Sequence, residues 1–200
     1  MEIDFRINQM NPEADFARIA TEIMNHWILR IESKAYRIAE IEFYMHSPLH
    51  IDQYTHAHEQ QKQSGKWYFH RSGMDLCFGS DEFYGGILIR AIFDLENKRY
   101  VYGPLNSVTE ILSHWGDIYQ SNLSFGLTTE GADKIAFEKP VRAPRIGLNP
   151  DKDPAMYSRF YRFLVLPKQK HAEKSKISEA MKQDGYSDED IKQIFGNNPY

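Results

Sequence analysis

A short acidic segment carries the residues of this chain whose types and spacing are best suited to chemistry. The segment spans residues 37–44 and reads RIAEIEFY. Side chains of a β-strand alternate between two faces, so Glu40, Glu42 and Tyr44 are expected on one face and the apolar residues between them on the other. Two carboxylates beside a phenol are costly to hold together unless they transfer protons or bind a cation. The segment therefore predicts an active site, with a solvated edge strand as the alternative.

Histidines are concentrated just after this segment, and they indicate a second kind of chemistry. His46, His50, His56 and His58 lie within thirteen residues, with Asp52 between them. Neutral imidazoles and carboxylates bind zinc well, so a metal-dependent hydrolase is one hypothesis. Their spacing matches no familiar zinc signature. We expect no metal and no other cofactor, and the metal-dependent hydrolase stays an alternative.

The composition limits the classes of protein to be considered. With 200 residues, of which 42% are hydrophobic, the chain is long enough to bury one substantial core. The formal net charge of −4 gives no general attraction for nucleic acid, although residues 139–176 contain ten Lys or Arg against three acidic residues. That basic segment predicts either a phosphate-binding face or a solvated surface.

Three features bear on the compartment. Cys77 is the single cysteine, so an intramolecular disulfide is impossible. No apolar run approaches the ~20 residues needed to cross a bilayer, and the first residues lack the pattern of a signal peptide. The sequence thus predicts a cytoplasmic protein, nucleoid-associated if prokaryotic, with no membrane partner.

The elements that position the acidic segment are a helix before it and several strands after it. Pro12 followed by Glu13 predicts a helix start, and apolar residues at helical spacing continue to about residue 27. Residues 87–93 form an apolar run typical of a central strand, in which Arg90 needs an acidic partner across the sheet. The glycine pair at 85–86 predicts a turn or bulge. Further predicted elements are extended segments at 66–71, 75–79 and 160–166, a helix at about 107–115, loops at 45–64 and 121–158, and two short tail helices, the second capped by Ser187.

Several segments, in their order along the chain, resemble the alkyladenine (3-methyladenine) DNA glycosylase family. Residues 37–44 resemble that family's Arg-Ile-Val-Glu-Thr-Glu-Ala-Tyr strand, and Asp52 with His56 repeats its Asp-x-x-x-His spacing after a longer loop. Residues 86–91 are close to its Val-Leu-Leu-Arg-Ala segment. The other matches are residues 65–74, Gly103-Pro104, Arg145-Ile146-Gly147 and Arg162-Phe163. The resemblance covers roughly residues 15–166.

The resemblance implies a monofunctional DNA glycosylase of base excision repair, which flips a damaged (alkylated or deaminated) purine out of the helix and hydrolyses its N-glycosidic bond. By position, Glu42 matches the general base that activates water, and Arg90 matches the residue that orients this water. The expected substrate contacts are Tyr44, His56, Phe69, His70 and Gly79. The expected DNA contacts are Arg71, Ser72, Arg142 and Arg145, in a monomer that binds duplex or single-stranded DNA.

Two positions depart from the family's pattern. Ser72 stands where the family inserts a Tyr or similar side chain into the gap left by the flipped base. Gly79 aligns with an Asn that narrows the pocket floor and helps to reject normal guanine. The first change bears on flipping from a duplex, and the second bears on selectivity for damaged bases. The alternative function is therefore a nucleic-acid-binding relative that has kept the fold and lost catalysis.

These observations together predict an α+β protein. We expect a single domain with a curved, antiparallel-rich mixed sheet, peripheral helices and a pocket on the concave face of the sheet. We place the glycosylase-like α+β domain at residues 1–168 and a helical tail or lid at residues 169–200.

Overall fold

The computed structural model describes residues 2–119 and 122–196 and has one sheet with short helices around it. The strands are β1 (Ile28–Ile31), β2 (Lys34–His46), β3 (Trp67–His70), β4 (Gly73–Cys77), β5 (Tyr84–Asp94), β6 (Tyr100–Tyr102), β7 (Phe125–Thr128), β8 (Val141–Ala143) and β9 (Arg162–Leu164). The helices are α1 (Glu13–His26), α2 (Pro104–Leu112), α3 (Pro154–Tyr157), α4 (Lys174–Gln183) and α5 (Asp188–Phe195), with 3₁₀ turns at Glu59–Lys62 and Ala132–Lys134. The predicted α+β class is confirmed.

The sheet is organised around β2, its longest strand. Neighbouring strands follow the order β3-β4-β5-β2-β1-β7, β6 is added beside β5, and β9 pairs with both β2 and β8. The expected excess of antiparallel pairing is confirmed and extends to every pair of described strands. The sheet curls into a half-barrel, which confirms the predicted curvature.

The central strand β2 is irregular where it carries its acidic residues. Its register against β5 shifts on both sides of Glu40. Such a bulge bends a strand and increases its twist. The opposite edge of β2 also changes partner along its length, from β1 at residues 34–37 to β9 at residues 40–42. This change brings Arg162 of β9 beside the acidic residues.

The apolar face of β2 packs against α1. Phe16 of the helix stacks on Phe43 of the strand with ring centroids 4.3 Å apart, and Ile19 and Ile23 on the same helix face are fully buried. Burying a side chain of this size contributes roughly 1.5–3 kcal/mol. The helix confirms the start predicted after Pro12. It covers one face of β2 and leaves the acidic face on the opposite side.

The C-terminal helices pack on the sheet through an apolar cluster of their own. Ile177 of α4 and Ile191 of α5 meet Val141 of β8 and Leu164 of β9. The Ser187 side chain accepts a hydrogen bond from a backbone N–H in the first turn of α5, which confirms the predicted cap. Both tail helices are thus confirmed. The domain boundary at residue 168 stays a prediction, and residues 197–200 of the tail lie outside the described residues.

Two local predictions are corrected by the fold. Gly85 and Gly86 lie inside β5 in regular register, where we predicted a turn or bulge. A Cβ at Gly86 would lie 2.5 Å from Asp75 Oδ2 and 2.7 Å from Gln61 Nε2, so glycine leaves room for those side chains. The helix predicted at about 107–115 is α2, which begins earlier, at Pro104, and ends at Leu112, before the exposed Trp115. Within the described ranges, no helix is both long and apolar enough to cross a bilayer.

Candidate functional site

The carboxylate of Glu42 is fully buried, and both of its oxygens accept hydrogen bonds. Oε1 accepts the backbone N–H of Ile146 at 2.8 Å. Oε2 accepts the Tyr44 hydroxyl at 2.8 Å and Nη1 of Arg90 at 3.3 Å. A carboxylate has about four lone-pair positions. These three donors therefore leave one position on Glu42 for another donor.

A cavity of about 410 Å³ lies next to this carboxylate. Tyr44, Arg90 and Ile146, the three donors to Glu42, all border the cavity, so Glu42 lies just beneath its floor. The other lining residues are Tyr54, His56, Gln61, His70, Arg71, Ser72, Asp75, Leu88, Pro104, Gly147, Leu148 and Lys152. A larger groove of about 640 Å³ between β9 and α5 is lined mainly by apolar side chains and contains no comparable cluster of functional groups.

Arg90 has the acidic partners that its place in an apolar strand predicted. Its Nε donates to Glu40 Oε1 at 3.0 Å, while its Nη1 donates to Glu42. Burial alone would lower the pKa of Arg90, but the charges of Glu42 and Glu40 outweigh burial and raise this pKa. Arg90 is therefore a fixed positive charge that joins the cavity floor to the protein interior.

Glu40 is held from the interior of the protein, away from the cavity. Its Oε1 accepts Nε of Arg162 at 2.9 Å, and its Oε2 lies 2.6 Å from Nδ1 of His171. Burial would raise the pKa of this carboxyl group, but the contact with His171 and the charges of Arg162 and Arg90 outweigh burial and lower the pKa. Glu40 thus serves as a structural counter-charge for two arginines.

One wall of the cavity is a chain of polar side chains. Asp75 contacts His70 through Oδ1, at 3.0 Å from Nε2, and accepts Nε2 of Gln61 through Oδ2 at 3.1 Å. The backbone N–H of Ser72 donates to Nδ1 of His70 at 3.3 Å, which assigns the proton of the neutral ring to Nε2. His56 stands perpendicular to His70 with ring centroids 4.5 Å apart. Burial, and then the neighbouring His70, lower the pKa of His56, which favours its neutral form.

Two of the predicted substrate contacts are not brought to this cavity. Strand alternation turns Phe69 to the opposite face from His70, where Phe69 is 44% exposed and meets Phe125 edge to face at 5.9 Å. Gly79 is packed against backbone, and a Cβ there would lie 2.2 Å from the carbonyl oxygen of Gln61. The structure therefore places both residues away from the lining of the cavity. The other predicted contacts, Tyr44, His56 and His70, all line the cavity.

The predicted DNA contacts separate into two pairs. Arg71 and Ser72 are exposed at the turn between β3 and β4 and border the cavity mouth, so they remain predicted contacts. Arg145 is only 1% exposed and is bound to Asp52, so the structure contradicts its prediction as a DNA contact. Arg142 binds Asp184 and borders a different cavity, beside α1 and α4. Closeness in sequence had grouped basic side chains that the fold separates.

The histidines at the end of β2 and in the loop after it do not converge on a common point. The ring of His46 contacts the carbonyl oxygen of Asp52, His50 is buried, and His58 caps the 3₁₀ turn Glu59–Lys62. Among the residues that the structure describes, no group of three His, Cys, Asp or Glu side chains is placed to hold a metal ion. The metal-hydrolase hypothesis therefore finds no ligand set in this region.

Sequence reasoning missed four residues of the site. Asp75 carried a usable signal, since it interrupts an apolar strand in the same way as Arg90 interrupts β5. Lys152, at the cavity mouth, belonged to the basic segment without being singled out. Gln61 lies in a segment without periodicity, and Ile146 acts through its backbone N–H. No pattern in the sequence identifies these last two.

The fold and the site together define an α+β protein with a buried carboxylate–arginine pair beneath a polar cavity. No family model matches the chain. The chain is similar to an uncharacterized protein, L759, of Acanthamoeba polyphaga mimivirus, with 26% identity over 187 residues that cover 75% of this chain and 85% of the viral protein. This similarity extends through most of both chains and carries no information on activity.

Proposed function

We propose that the protein is a monofunctional DNA glycosylase that hydrolyses the N-glycosidic bond of a damaged purine. The observation that carries the proposal is the buried Glu42 with Arg90 beneath a cavity bordered by aromatic and hydrogen-bonding side chains. The ordered resemblance to the alkyladenine DNA glycosylases supports the same reading. The substrate is an alkylated or deaminated base, and no metal or Lys nucleophile takes part.

In the proposed reaction, Glu42 accepts a proton from a water molecule as the water oxygen bonds to the anomeric carbon of the sugar. The bond from that carbon to the base nitrogen breaks, and its electron pair leaves with the base. The transition state resembles an oxocarbenium ion, so a carboxylate beside it both removes the proton and stabilises positive charge. The unused lone-pair position of Glu42 is on Oε1, beside the backbone N–H of Ile146, and Ile146 also borders the cavity. The water approaches the carboxylate at this position.

The flipped base occupies the cavity and contacts Tyr44 and His56. Stacking on aromatic rings contributes ~1–3 kcal/mol per base and depends little on the identity of the base edge, which suits a damaged purine. Arg71 and Lys152 border the same cavity and supply positive charge for backbone phosphates. We therefore expect the DNA to lie across the side of the sheet that carries the β3–β4 turn.

The test is base release from DNA that carries hypoxanthine, ethenoadenine or a methylated purine, in single and double strands. Wild type is compared with Glu42→Gln, which keeps the size of the side chain and removes the carboxylate that acts as general base. Glu138→Gln is the matched control because Glu138 pairs with Arg37 and does not border the cavity. Release by wild type and by the control, with loss in Glu42→Gln, supports the proposal. Absence of release from every substrate by folded wild type refutes it.

One observation favours a second candidate, a nucleic-acid-binding protein without catalysis. Glu42 has no exposed surface, and the small Ser72 occupies the tip of the turn. Under this alternative the Glu42–Arg90 pair is structural. Binding of lesion DNA by both wild type and Glu42→Gln, with no release by either, would identify this function.

A further inference from the structure

We infer that Asp52 and Arg145 form a positioning unit that aims the carboxylate of Glu42 at the cavity. This inference rests on the proposed function and adds residues to its site. Neither residue borders the cavity, so neither touches a substrate placed there. Their effect on the reaction passes through the backbone of Ile146 and the ring of Tyr44, which both hold Glu42.

The pair is buried and tightly bonded. Arg145 donates from Nη1 to Asp52 Oδ2 at 2.7 Å and from Nη2 to Oδ1 at 3.2 Å, a two-point contact between side chains with no exposed surface. The same guanidinium donates to the carbonyl oxygens of Phe43 at 3.0 Å and Met156 at 3.3 Å. A planar fork of this kind fixes geometry as well as charge, which a lysine ammonium does not.

Arg145 reaches the surroundings of Glu42 by three routes. It precedes Ile146, whose N–H donates to Glu42 Oε1. It binds the carbonyl oxygen of Phe43, the residue after Glu42 in β2. Its guanidinium also lies 4.6 Å from the ring centroid of Tyr44, whose hydroxyl donates to Glu42 Oε2. One donor to Glu42, Ile146, is therefore peptide-bonded to Arg145, and a second, Tyr44, packs against its guanidinium.

Asp52 extends this arrangement into the loop after β2. Its Oδ1 accepts the backbone N–H of Tyr54 at 3.1 Å, and the Tyr54 ring lies 5.4 Å from the Arg145 guanidinium. Tyr54 and His56 both line the cavity. The pair thus connects the carboxylate beneath the floor with the loop that supplies part of the wall.

A buried ion pair is by itself weak evidence for a role in function, because its attraction often only offsets the cost of removing two charges from water. A positioning role requires a different readout from stability. Displacing a reacting group by about 1 Å can lower a rate by about 10²-fold without weakening substrate binding. The rate at saturation and the concentration needed for saturation therefore separate the two roles.

The experiment measures single-turnover base release against enzyme concentration for wild type, Asp52→Asn and Arg145→Lys. Arg37→Lys is the matched control, since Arg37 is also buried and binds Glu138, Asn25 and a backbone carbonyl without bordering the cavity. Thermal unfolding of all four proteins is measured in parallel. We expect all three variants to lose stability, but only Asp52→Asn and Arg145→Lys to lose about 10²-fold in the saturating rate, with an unchanged half-saturation concentration.

Three results overturn the inference and leave the proposed function standing. If folded Asp52→Asn and Arg145→Lys keep the wild-type saturating rate, the pair is structural while the proposed function stands. If they raise the half-saturation concentration and keep the rate, the pair acts in DNA binding. If both variants fail to fold while Arg37→Lys folds, the pair maintains the fold rather than the aim of Glu42. Absence of base release by wild type is a separate outcome, which refutes the proposed function together with the inference.

Discussion

Glu40 and Glu42 lie two residues apart on the same face of β2, are both fully buried and both bind Arg90, yet their surroundings differ. The other partners of Glu40 are Arg162 and His171, which lie in the interior. All the donors to Glu42 border the cavity. Identical side chains at equivalent strand positions therefore acquire different roles from their neighbours. A carboxylate closed in by cations supports the fold, whereas one beneath a cavity floor is placed for chemistry.

The largest expected effect separates the two carboxylates by activity. Glu42→Gln removes the proposed general base and is expected to lower single-turnover base release by about 10²–10⁴-fold. Glu40→Gln leaves Glu42 in place and is expected to cause a much smaller loss for the protein that remains folded. Rates are compared on the same lesion DNA, with the folded fraction measured by circular dichroism. Equal losses of rate in the two variants would contradict the different roles of Glu40 and Glu42.

Stability should separate the same pair in the opposite order. Glu40→Gln leaves Arg162 and His171 facing a neutral amide in the interior and is expected to cost about 3–5 kcal/mol of unfolding free energy. Glu42→Gln removes a charge that is paired with one arginine, Arg90, and Arg90 keeps its second partner, Glu40. The loss of unfolding free energy should therefore be smaller than for Glu40→Gln. Urea denaturation with a common slope gives both values. A larger loss of unfolding free energy for Glu42→Gln than for Glu40→Gln would show that the fold depends more on Glu42 and would contradict the structural role of Glu40.

The pH dependence of stability sharpens the assignment of Glu40. Its pKa falls from the ordinary 4.5 to about 2, since the His171 contact and the arginine charges outweigh burial. The folded state then binds fewer protons than the unfolded state between these values, so stability rises with pH in this window. The contribution is fully present above about pH 4.5 and is lost as the pH falls towards about 2. Wild type should lose stability over this range more steeply than Glu40→Gln, as measured by unfolding at stepped pH. Parallel curves would contradict the assignment.

The smallest expected effects test whether facing the cavity also decides the role of aromatic side chains. His56 lines the cavity, and His56→Ala should weaken capture of the flipped base by ~1–3 kcal/mol. Phe69 faces away from the cavity, so Phe69→Ala should leave both the rate and the half-saturation concentration unchanged. Base release against enzyme concentration gives both quantities. If Phe69→Ala weakens capture of the base as much as His56→Ala does, the placement of Phe69 on the face away from the cavity does not hold for the DNA-bound protein.

The sequence predicted those parts of the fold and site that depend on local periodicity. Alternation placed Glu40, Glu42 and Tyr44 on one face, and the apolar run around Arg90 implied an acidic partner across the sheet. The resemblance placed both Phe69 and His70 at the substrate, but neighbouring residues of a strand point to opposite faces, and His70 is the one that lines the cavity. Local sequence also gave no sign that Arg145 is buried, because a basic residue in a proline-interrupted segment is usually exposed.

The sequence by itself determined the helix α1, the strands β2 and β5, the capped tail helix and the acidic face, since each follows from spacing within a few residues. Only the tertiary structure decided what lies against that face. Arg145 meets Asp52 across 93 positions, and Arg162 meets Glu40 across 122. Contacts over such separations depend on how the sheet curls and which strand edges meet, and no local pattern encodes them. The roles of Glu40 and Glu42 differ for this reason: their local sequence is nearly the same, and only long-range packing closes one in and leaves the other beneath a cavity.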